Sequence, residues 1–193
     1  MNLPLFKAKT GMGVSATLNR QEIDRSNRWG EAMSQSRTRT YSWRDPAEMI
    51  KSMGNKSGLE VLQAVVRGDL RAPIQDTLEM DVTAAEEGRV EYQLTPQEFH
   101  FNPAGTLHGG VMATIVDSAM SCAIWTMLPA GVGWTTMEMK LGLVRTVTIE
   151  SGRLVCVATP ITVGQRSGAA EARVHDAKGR LCAYASTTCM IFR

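Results

Sequence analysis

The chain has 193 residues, of which 44% are hydrophobic and 21% charged, the composition of a soluble globular protein with one domain of ordinary size. The net charge of +2 is too small to indicate nucleic-acid binding, and no segment approaches the roughly 18 consecutive apolar residues of a membrane span. The four cysteines have no metal-type pair spacing and stand in apolar contexts, so we expect reduced core cysteines in a cytoplasmic protein.

The first 44 residues differ from the rest in charge and pattern. They carry a net charge of +5, against −3 for the remainder, and they show no sustained apolar periodicity. No apolar signal core stands at the start, so nothing in the sequence indicates secretion. We therefore expect residues 1–44 to form a poorly ordered or loosely docked extension, followed by a folded domain over residues 45–193.

Two short helices are predicted at the start of this domain. Asp45 is a capping residue followed by proline at the first helical position, and this helix should end near Gly54. Ser57 and Glu60 have the spacing of a capping box, which predicts a second helix to about residue 67. The Ala72–Pro73 pair then breaks the chain.

A series of strands surrounds the middle of the domain. Alternating apolar and polar residues predict strands at residues 78–83 and 89–94, and then at 135–144, 153–162, 168–175 and 181–192. One long apolar helix lies between the second and third of these strands. The economical arrangement is α+β, an antiparallel sheet of about five or six strands wrapped around that helix. Open strand edges are natural pairing sites for a dimer.

The apolar run at residues 111–125 has helical periodicity and a single carboxylate, Asp117. An ionised carboxylate in an almost wholly apolar helix is costly to bury unless it is paired, hydrogen-bonded or functional. It could cap a neighbouring loop or pair with an arginine. Its position also makes it a candidate general base or nucleophile.

The beginning of the same helix is a candidate oxyanion site. Gly109 and Gly110 let the backbone approach a ligand closely, and the free N–H groups of a helix start favour negative charge. Eight helical residues separate Gly109 from Asp117, a distance of about 12 Å. A reacting carbonyl needs both groups within about 3 Å. If both are catalytic, we expect them to come from two copies of the chain, with the active site at a dimer interface.

The segment NPAGTLHGGVMATIVDSAMSCA, followed by LPAGVGWTTMEMKLGLVRTV, resembles the hotdog-fold acyl-CoA thioesterases, and especially the subfamily of the phenylacetate-degradation thioesterase. That family combines an Asn, a Gly and a His-Gly-Gly triplet with an Asp nine residues past the His. The matching residues are Asn102, Gly105, His108, Gly109, Gly110 and Asp117. The resemblance runs from about residue 57 to residue 192.

The resemblance implies hydrolysis of an acyl-CoA to a free acid and CoA, with no metal or redox cofactor and with CoA only as part of the substrate. It assigns Asp117 as base or nucleophile, which the sequence cannot separate, and the Gly109 N–H to the thioester oxygen. His108 would orient the thioester or the loop. Asn102 would help to hold the water or the carbonyl, although it could simply be a turn residue. Thr136 would position the attacking water, with Thr135 as the alternative.

Several further residues are candidates for substrate binding. Gly110 is expected to allow close packing at the helix start. Arg145, Gln165 and Arg166 are candidates for the nucleotide phosphates of CoA, because arginine suits phosphate and a turn at Gly164 can present it. Two other residues, Ile74 and Leu78, would border the acyl group, and the remaining histidines, His100 and His175, are interpreted as surface or strand residues.

The expected substrate is therefore an aryl- or medium-chain acyl-CoA, a preference that comes from the subfamily resemblance. We expect a homodimer, and a dimer of dimers, with no nucleic-acid or membrane partner. The alternative is a non-catalytic acyl-CoA-binding or sensing protein of the same fold. Such proteins lack the helix carboxylate that Asp117 provides.

Overall fold

A computed structural model describes residues 37–192 of the chain. The chain divides between Thr40 and Tyr41, and the unit that begins at Tyr41 contains every helix and strand described below. The predicted N-terminal extension lies, up to residue 36, outside the described residues. The helices are α1 (Pro46–Met53), α2 (Gly58–Val66), α3 (Pro73–Leu78) and α4 (Gly109–Trp125). The strands are β1 (Met80–Glu86), β2 (Arg89–Leu94), β3 (Gly133–Leu143), β4 (Leu154–Val163), β5 (Ser167–His175) and β6 (Leu181–Phe192).

The first two helices begin at the predicted caps. The Asp45 carboxylate accepts a hydrogen bond from the Ala47 N–H at 2.8 Å, and proline occupies the first helical position of α1. Ser57 and Glu60 form the predicted capping box of α2, in which Glu60 accepts from the Ser57 N–H at 2.7 Å. These local hydrogen bonds satisfy N–H groups that the helix itself leaves without partners.

The prediction of a simple chain break at Pro73 was wrong. Pro73 is the first residue of α3, where its missing N–H costs nothing, and the helix continues to Leu78. Strand β1 consequently starts at Met80 rather than at residue 78, and it extends to Glu86. A short helix of six residues is too brief to show a helical hydrophobic period, which explains why the sequence pattern did not reveal it.

The six strands form one antiparallel sheet in the order β1-β2-β4-β5-β6-β3. Helix α4 packs against strands β2 to β6 through its buried apolar side chains, namely Met112, Ile115, Val116, Ala119, Met120, Ala123 and Ile124. The predicted α+β hotdog arrangement, with a sheet around one long helix, is confirmed. Strands β1 and β3 are the two edges of the sheet, so β3 has one hydrogen-bonded neighbour among the described strands.

Helix α2 lies against the C-terminal end of α4. The Gly58 N–H donates to the Leu128 carbonyl at 3.2 Å, and a Cβ at position 58 would collide with the Trp125 carbonyl and indole. Only glycine therefore permits this close approach. Among residues 37–192, no helix is long and apolar enough to cross a membrane.

Candidate active site

Asp117 lies near the middle of α4 and is half-buried. The Thr136 hydroxyl on β3 donates a hydrogen bond to Asp117 Oδ1 at 2.8 Å. Asp117 Oδ2 has no hydrogen-bond partner among residues 37–192. The carboxylate is thus held at one oxygen and open at the other, which is the arrangement needed by a group that must still accept a proton or attack a substrate.

A bulge in β3 places Thr136 on the inner side of the sheet. The pairing with β6 shifts between Thr136 and Glu138, so Met137 is an extra residue on the β3 side. Met137 is 58% exposed, whereas Thr136 and Met139 are both partly buried. The bulge therefore changes which β3 side chains face the inner side of the sheet. In a regular strand with Thr136 facing inward, Met139 would face outward.

A cavity of about 240 Å³ lies beside Asp117, and we call it the aspartate cavity. Helices α1 to α4 and strands β2 and β3 all contribute to its lining, which is largely apolar. Three aromatic side chains, Tyr92, Trp125 and Trp134, border it, and the two indole rings stack with their centroids 4.1 Å apart. Of the ionisable carboxylates in the described residues, the cavity lining includes Asp117 alone.

The two other titratable groups of the aspartate cavity remain neutral. Burial raises the pKa of Tyr92 well above its usual value and raises the pKa of the Cys122 thiol to about 11. Their side chains also contact each other, with Tyr92 Oη 3.4 Å from Cys122 Sγ. At neutral pH neither group can act as an anionic nucleophile, so Asp117 is the candidate for that chemistry.

A second cavity, of about 360 Å³, lies at the beginning of α4 and is here called the glycine cavity. Gly109, Asn102, Leu143 and Arg145 are among its lining residues. Gly109 is the first residue of α4, and its N–H donates no hydrogen bond within residues 37–192. A free N–H at the positive end of a helix, facing a cavity, is suited to a carbonyl oxygen that gains negative charge.

His108 caps α4. Its Nδ1 accepts a hydrogen bond from the Gly110 N–H at 2.8 Å, so the proton of the neutral imidazole is on Nε2. A Cβ at Gly110 would lie 3.0 Å from His108 Nδ1, which agrees with the predicted close packing at this position. A Cβ at Gly109 would instead meet Leu143 Cδ1 at an ordinary contact distance of 3.5 Å.

The Asn102 side chain is engaged within its own loop. Its Oδ1 accepts from the N–H groups of Ala104 and Thr106 at 2.9 and 3.3 Å, and its Nδ2 donates to Thr106 Oγ1 at 2.9 Å. This is the geometry of the turn residue that the sequence left open as an alternative. Its role in holding water or the thioester carbonyl stays a prediction.

Of the two threonines considered from sequence, Thr136 contacts Asp117, whereas Thr135 is exposed and pairs with Met190 on the neighbouring strand. Ile74 lines the aspartate cavity, and its contact with an acyl group stays a prediction. Leu78 is not among its lining residues. It packs against the core, and its carbonyl accepts from the ring of His100.

The three candidate phosphate contacts are not brought together within one chain. Arg145 borders the glycine cavity, and its Nε donates to the Leu181 carbonyl at 3.1 Å, at the beginning of β6. Gln165 and Arg166 are exposed in the turn between β4 and β5, where the Arg166 carbonyl accepts from Ile191 at the end of β6. At about 3.3 Å per residue, β6 separates the two places by about 30 Å.

His100 was wrongly interpreted as a surface or strand residue. It is 1% exposed and belongs to a short 3-10 turn, Glu98–His100. Its Nδ1 accepts from the Gln97 N–H at 3.0 Å, and its Nε2 lies 2.9 Å from the Leu78 carbonyl, to which it must donate. His175 does lie in a strand, β5.

Gln75 is a residue of the aspartate cavity that sequence analysis missed. It belongs to α3 and is 3% exposed. No sequence signal marks it, because glutamine is mostly a surface residue and α3 itself was not predicted.

In the described part of the chain, no three His, Cys, Asp or Glu side chains are grouped so that they could hold a metal ion.

Comparisons with known proteins agree with this fold. The sequence model of the thioesterase superfamily matches residues 104–183, which include the His-Gly-Gly triplet and Asp117. The proofreading thioesterase EntH of Klebsiella pneumoniae is 31% identical over 100 residues, covering 52% of this chain and 72% of EntH.

Two solved structures share the fold. A thioesterase from Haemophilus influenzae has a TM-score of 0.61 at 22% identity, over 70% of this chain and 90% of its own. The E. coli PaaI protein of the phenylacetic acid degradation operon has a TM-score of 0.62 at 15% identity, over 71% of this chain and 97% of its own. The chain therefore belongs to the thioesterase superfamily, as a thioester hydrolase with the hotdog fold.

Proposed function

We propose that the protein hydrolyses an acyl-CoA to a free acid and CoA, at a site formed by the glycine cavity of one protomer and the aspartate cavity of its partner. The observation that carries this proposal is the separation of the two half-sites within one chain. Gly109 and Asp117 line different cavities, and those cavities share no lining residue. A two-fold dimer can join each glycine cavity to the other protomer's aspartate cavity.

In this site the thioester carbonyl oxygen accepts a hydrogen bond from the Gly109 N–H. The helix start favours the negative charge that develops on this oxygen as the carbon becomes tetrahedral. His108 supports this geometry as a positioning residue, because its bond to the Gly110 N–H fixes the backbone next to Gly109. Asn102 fixes the preceding loop in the same way.

Asp117 of the partner subunit drives the attack. As a general base, its open Oδ2 takes a proton from water while the water oxygen bonds to the thioester carbon. The tetrahedral intermediate then collapses, the C–S bond breaks, and the CoA sulfur leaves with the bonding electrons and takes up a proton. Thr136 holds the other carboxylate oxygen throughout.

Asp117 could instead act as a nucleophile. Its Oδ2 would then bond to the thioester carbon and expel CoA, leaving a mixed anhydride that water hydrolyses in a second step. Both routes give the same products and need the same open oxygen. They differ in whether an acyl-enzyme forms, which rapid-mixing measurements of CoA release would reveal as a burst.

The dimensions of the aspartate cavity support an aryl or medium-chain acyl group. An apolar cavity of about 150 Å³ accommodates benzene. A cavity of about 240 Å³ therefore has room for one ring and a short linker, or for a folded medium-length chain. The rings of Tyr92, Trp125 and Trp134 offer stacking and edge contacts to such a ring.

The charged part of CoA would extend from the glycine cavity toward solvent. Arg145 borders that cavity and suits the nucleotide phosphates. Gln165 and Arg166 lie too far away on the same chain, so they would reach this CoA from the partner protomer.

The exposed side chains of Tyr184, Met190 and Phe192 on β6 give an apolar surface that a dimer of dimers would cover.

The experiment that tests this proposal is CoA release from short, medium, long and aromatic acyl-CoAs, by wild type and by Asp117→Asn. We expect one substrate class to be hydrolysed and the variant to lose at least ~100-fold in kcat, the effect of removing a positioned base or nucleophile. Asp69→Asn, at an exposed carboxylate, is the matched control and should retain wild-type activity. Binding of several acyl-CoAs with hydrolysis of none would contradict the assignment and favour an acyl-CoA-binding protein.

A further inference from the structure

The side-chain amide of Gln75 has one end fixed and one end without a partner. Its Oε1 accepts a hydrogen bond from the Ala72 N–H at 2.9 Å. A backbone N–H can only donate, so this bond determines which end of the amide is oxygen and which is nitrogen. Nε2, with its two N–H donors, is completely enclosed and has no partner among residues 37–192.

Such a group requires an explanation, because buried polar atoms in folded proteins almost always have a hydrogen-bond partner. Gln75 is 97% buried, since its exposed fraction is 3%. It lines the aspartate cavity next to apolar residues that include Met49, Leu62, Val65 and Ile74. In the empty protein this donor is covered and unpaired beside a largely apolar cavity, which is a loss. A rotation of the Gln75 side chain that turns Nε2 toward the cavity would let a ligand bring the missing acceptor and recover that loss.

We infer that Gln75 determines acyl specificity: its Nε2 donates to a neutral hydrogen-bond acceptor carried by the acyl group. The favoured substrates are then acyl-CoAs with a keto, ether or hydroxyl oxygen on the acyl portion, rather than plain hydrocarbons of the same size. This inference rests on the proposed function, because it assumes that the acyl group occupies the aspartate cavity.

The acceptor must be neutral. A carboxylate would also accept from Nε2, but it would introduce a second negative charge into a largely apolar cavity that already contains Asp117. A substrate without an acceptor leaves the Nε2 donor without a hydrogen bond. The site therefore disfavours that substrate relative to a substrate whose acceptor pairs with Nε2. The selectivity therefore comes from the unmet donor as much as from the new hydrogen bond.

Matched pairs of substrates test this directly. Phenylacetyl-CoA is compared with its 2-, 3- and 4-pyridyl analogues, in which one ring CH becomes a nitrogen acceptor with almost no change of shape. Octanoyl-CoA is compared with octanoyl-CoAs that carry a keto group at carbon 5, 6 or 7. For wild type we expect kcat/KM to favour one acceptor position over the plain substrate by about 10-fold, the value of one satisfied buried hydrogen bond.

Two substitutions at position 75 separate specificity from folding. Gln75→Met removes the amide at similar length, and the preference should fall to about 1. Gln75→Leu removes the amide with a shorter apolar side chain, so it too should lose the preference. Gln63→Met makes the same change at an exposed glutamine of α2 and should keep both the wild-type preference and the wild-type activity. Thermal unfolding of each variant confirms that it is folded.

The outcomes are distinct. A wild-type enzyme that hydrolyses the plain substrates through Asp117 but shows no preference in either series overturns the role of Gln75 and leaves the proposed function standing. A preference that survives in a folded Gln75→Met or Gln75→Leu variant overturns it as well. If wild type hydrolyses no acyl-CoA of either series or of the wider panel, the proposed function fails and the inference fails with it.

Discussion

The glycine cavity and the aspartate cavity are built in different ways. At the glycine cavity the key hydrogen bonds are local: His108 bonds to the N–H two residues on, and Asn102 bonds within four residues. At the aspartate cavity the central bond joins Asp117 to Thr136, 19 residues away and on another element, and six elements supply the lining. The conformation of the helix start is therefore encoded in a short motif, although residues 143–147 complete the wall of its cavity. The aspartate cavity depends throughout on how the whole domain packs.

This difference separates what each half contributes to the chemistry. The glycine cavity offers the backbone, which every residue has, so its function depends on conformation and on the small size of Gly109 and Gly110. The aspartate cavity offers side chains, so its function depends on which residues face inward. Substitutions can therefore disable one half at a time, or place the two intact halves on different chains.

The largest effect is expected from Gly109→Pro, which removes the proposed oxyanion donor from the glycine cavity. Proline is well tolerated as the first residue of a helix, and the extended backbone of His108 (ψ 135°) is compatible with a following proline. We expect kcat/KM to fall by about 10²–10³-fold, as for loss of one oxyanion donor. Steady-state hydrolysis of the best acyl-CoA measures this.

Gly109→Ala is the control for that experiment, because it adds a Cβ and keeps the N–H. The added carbon would meet Leu143 Cδ1 at 3.5 Å, an ordinary contact. Alanine should therefore lose much less activity than proline. Equal losses in the two variants would show that space, rather than the N–H, is what position 109 provides.

Mixing two inactive proteins tests whether the halves come from different protomers. A heterodimer of Asp117→Asn and Gly109→Pro contains one site with both groups intact and one site with neither. Random exchange should therefore restore about a quarter of wild-type activity, since half of the dimers are mixed and half of their sites are intact. Activity is measured after subunit exchange, with the fraction of mixed dimers determined by native mass spectrometry.

The control mixture pairs Asp117→Asn with the double variant that also carries Gly109→Pro, and it should stay inactive because no chain supplies Asp117. Mixed dimers that form without any recovery in the test mixture would place both groups on one chain, contrary to the proposal.

A smaller effect is expected from Thr136→Val, which keeps the shape of the side chain and removes the hydroxyl that orients Asp117. Loss of a hydrogen bond to a charged group should reduce kcat by about 10-fold or somewhat more. Thr135→Val, at the exposed neighbour, should have the smaller effect of the two. The reverse order would identify Thr135 as the residue that positions the water.

The parts of the fold that short-range rules control could be predicted from the sequence. The capping residues Asp45 and Ser57 predict the first two helices. The alternation of apolar and polar residues predicts the observed bounds of the strands Arg89–Leu94 and Leu181–Phe192. The glycine pair and the periodic apolar residues locate α4 to within a residue. In each case the decisive partners are within one or two helical turns or along one strand.

The remaining features depend on contacts between distant segments. The residues around Thr136 do not predict the bulge that lets Thr136 face Asp117, because the bulge arises from the pairing of β3 with β6. The burial of Gln75 and His100 depends on α3 and on the loop before α4 meeting each other. Likewise, the distance between Arg145 and Arg166 follows from strand order, which no single segment specifies.

The stacked indoles of Trp125 and Trp134 give the aspartate cavity an optical signal of its own. Two indole rings with centroids 4.1 Å apart share excitation energy, so their absorption and fluorescence depend on the stacking geometry. Because both rings line the aspartate cavity, a ligand that binds beside them would alter that geometry. Occupancy of the cavity can thus be followed by light, in the unlabelled protein and without turnover.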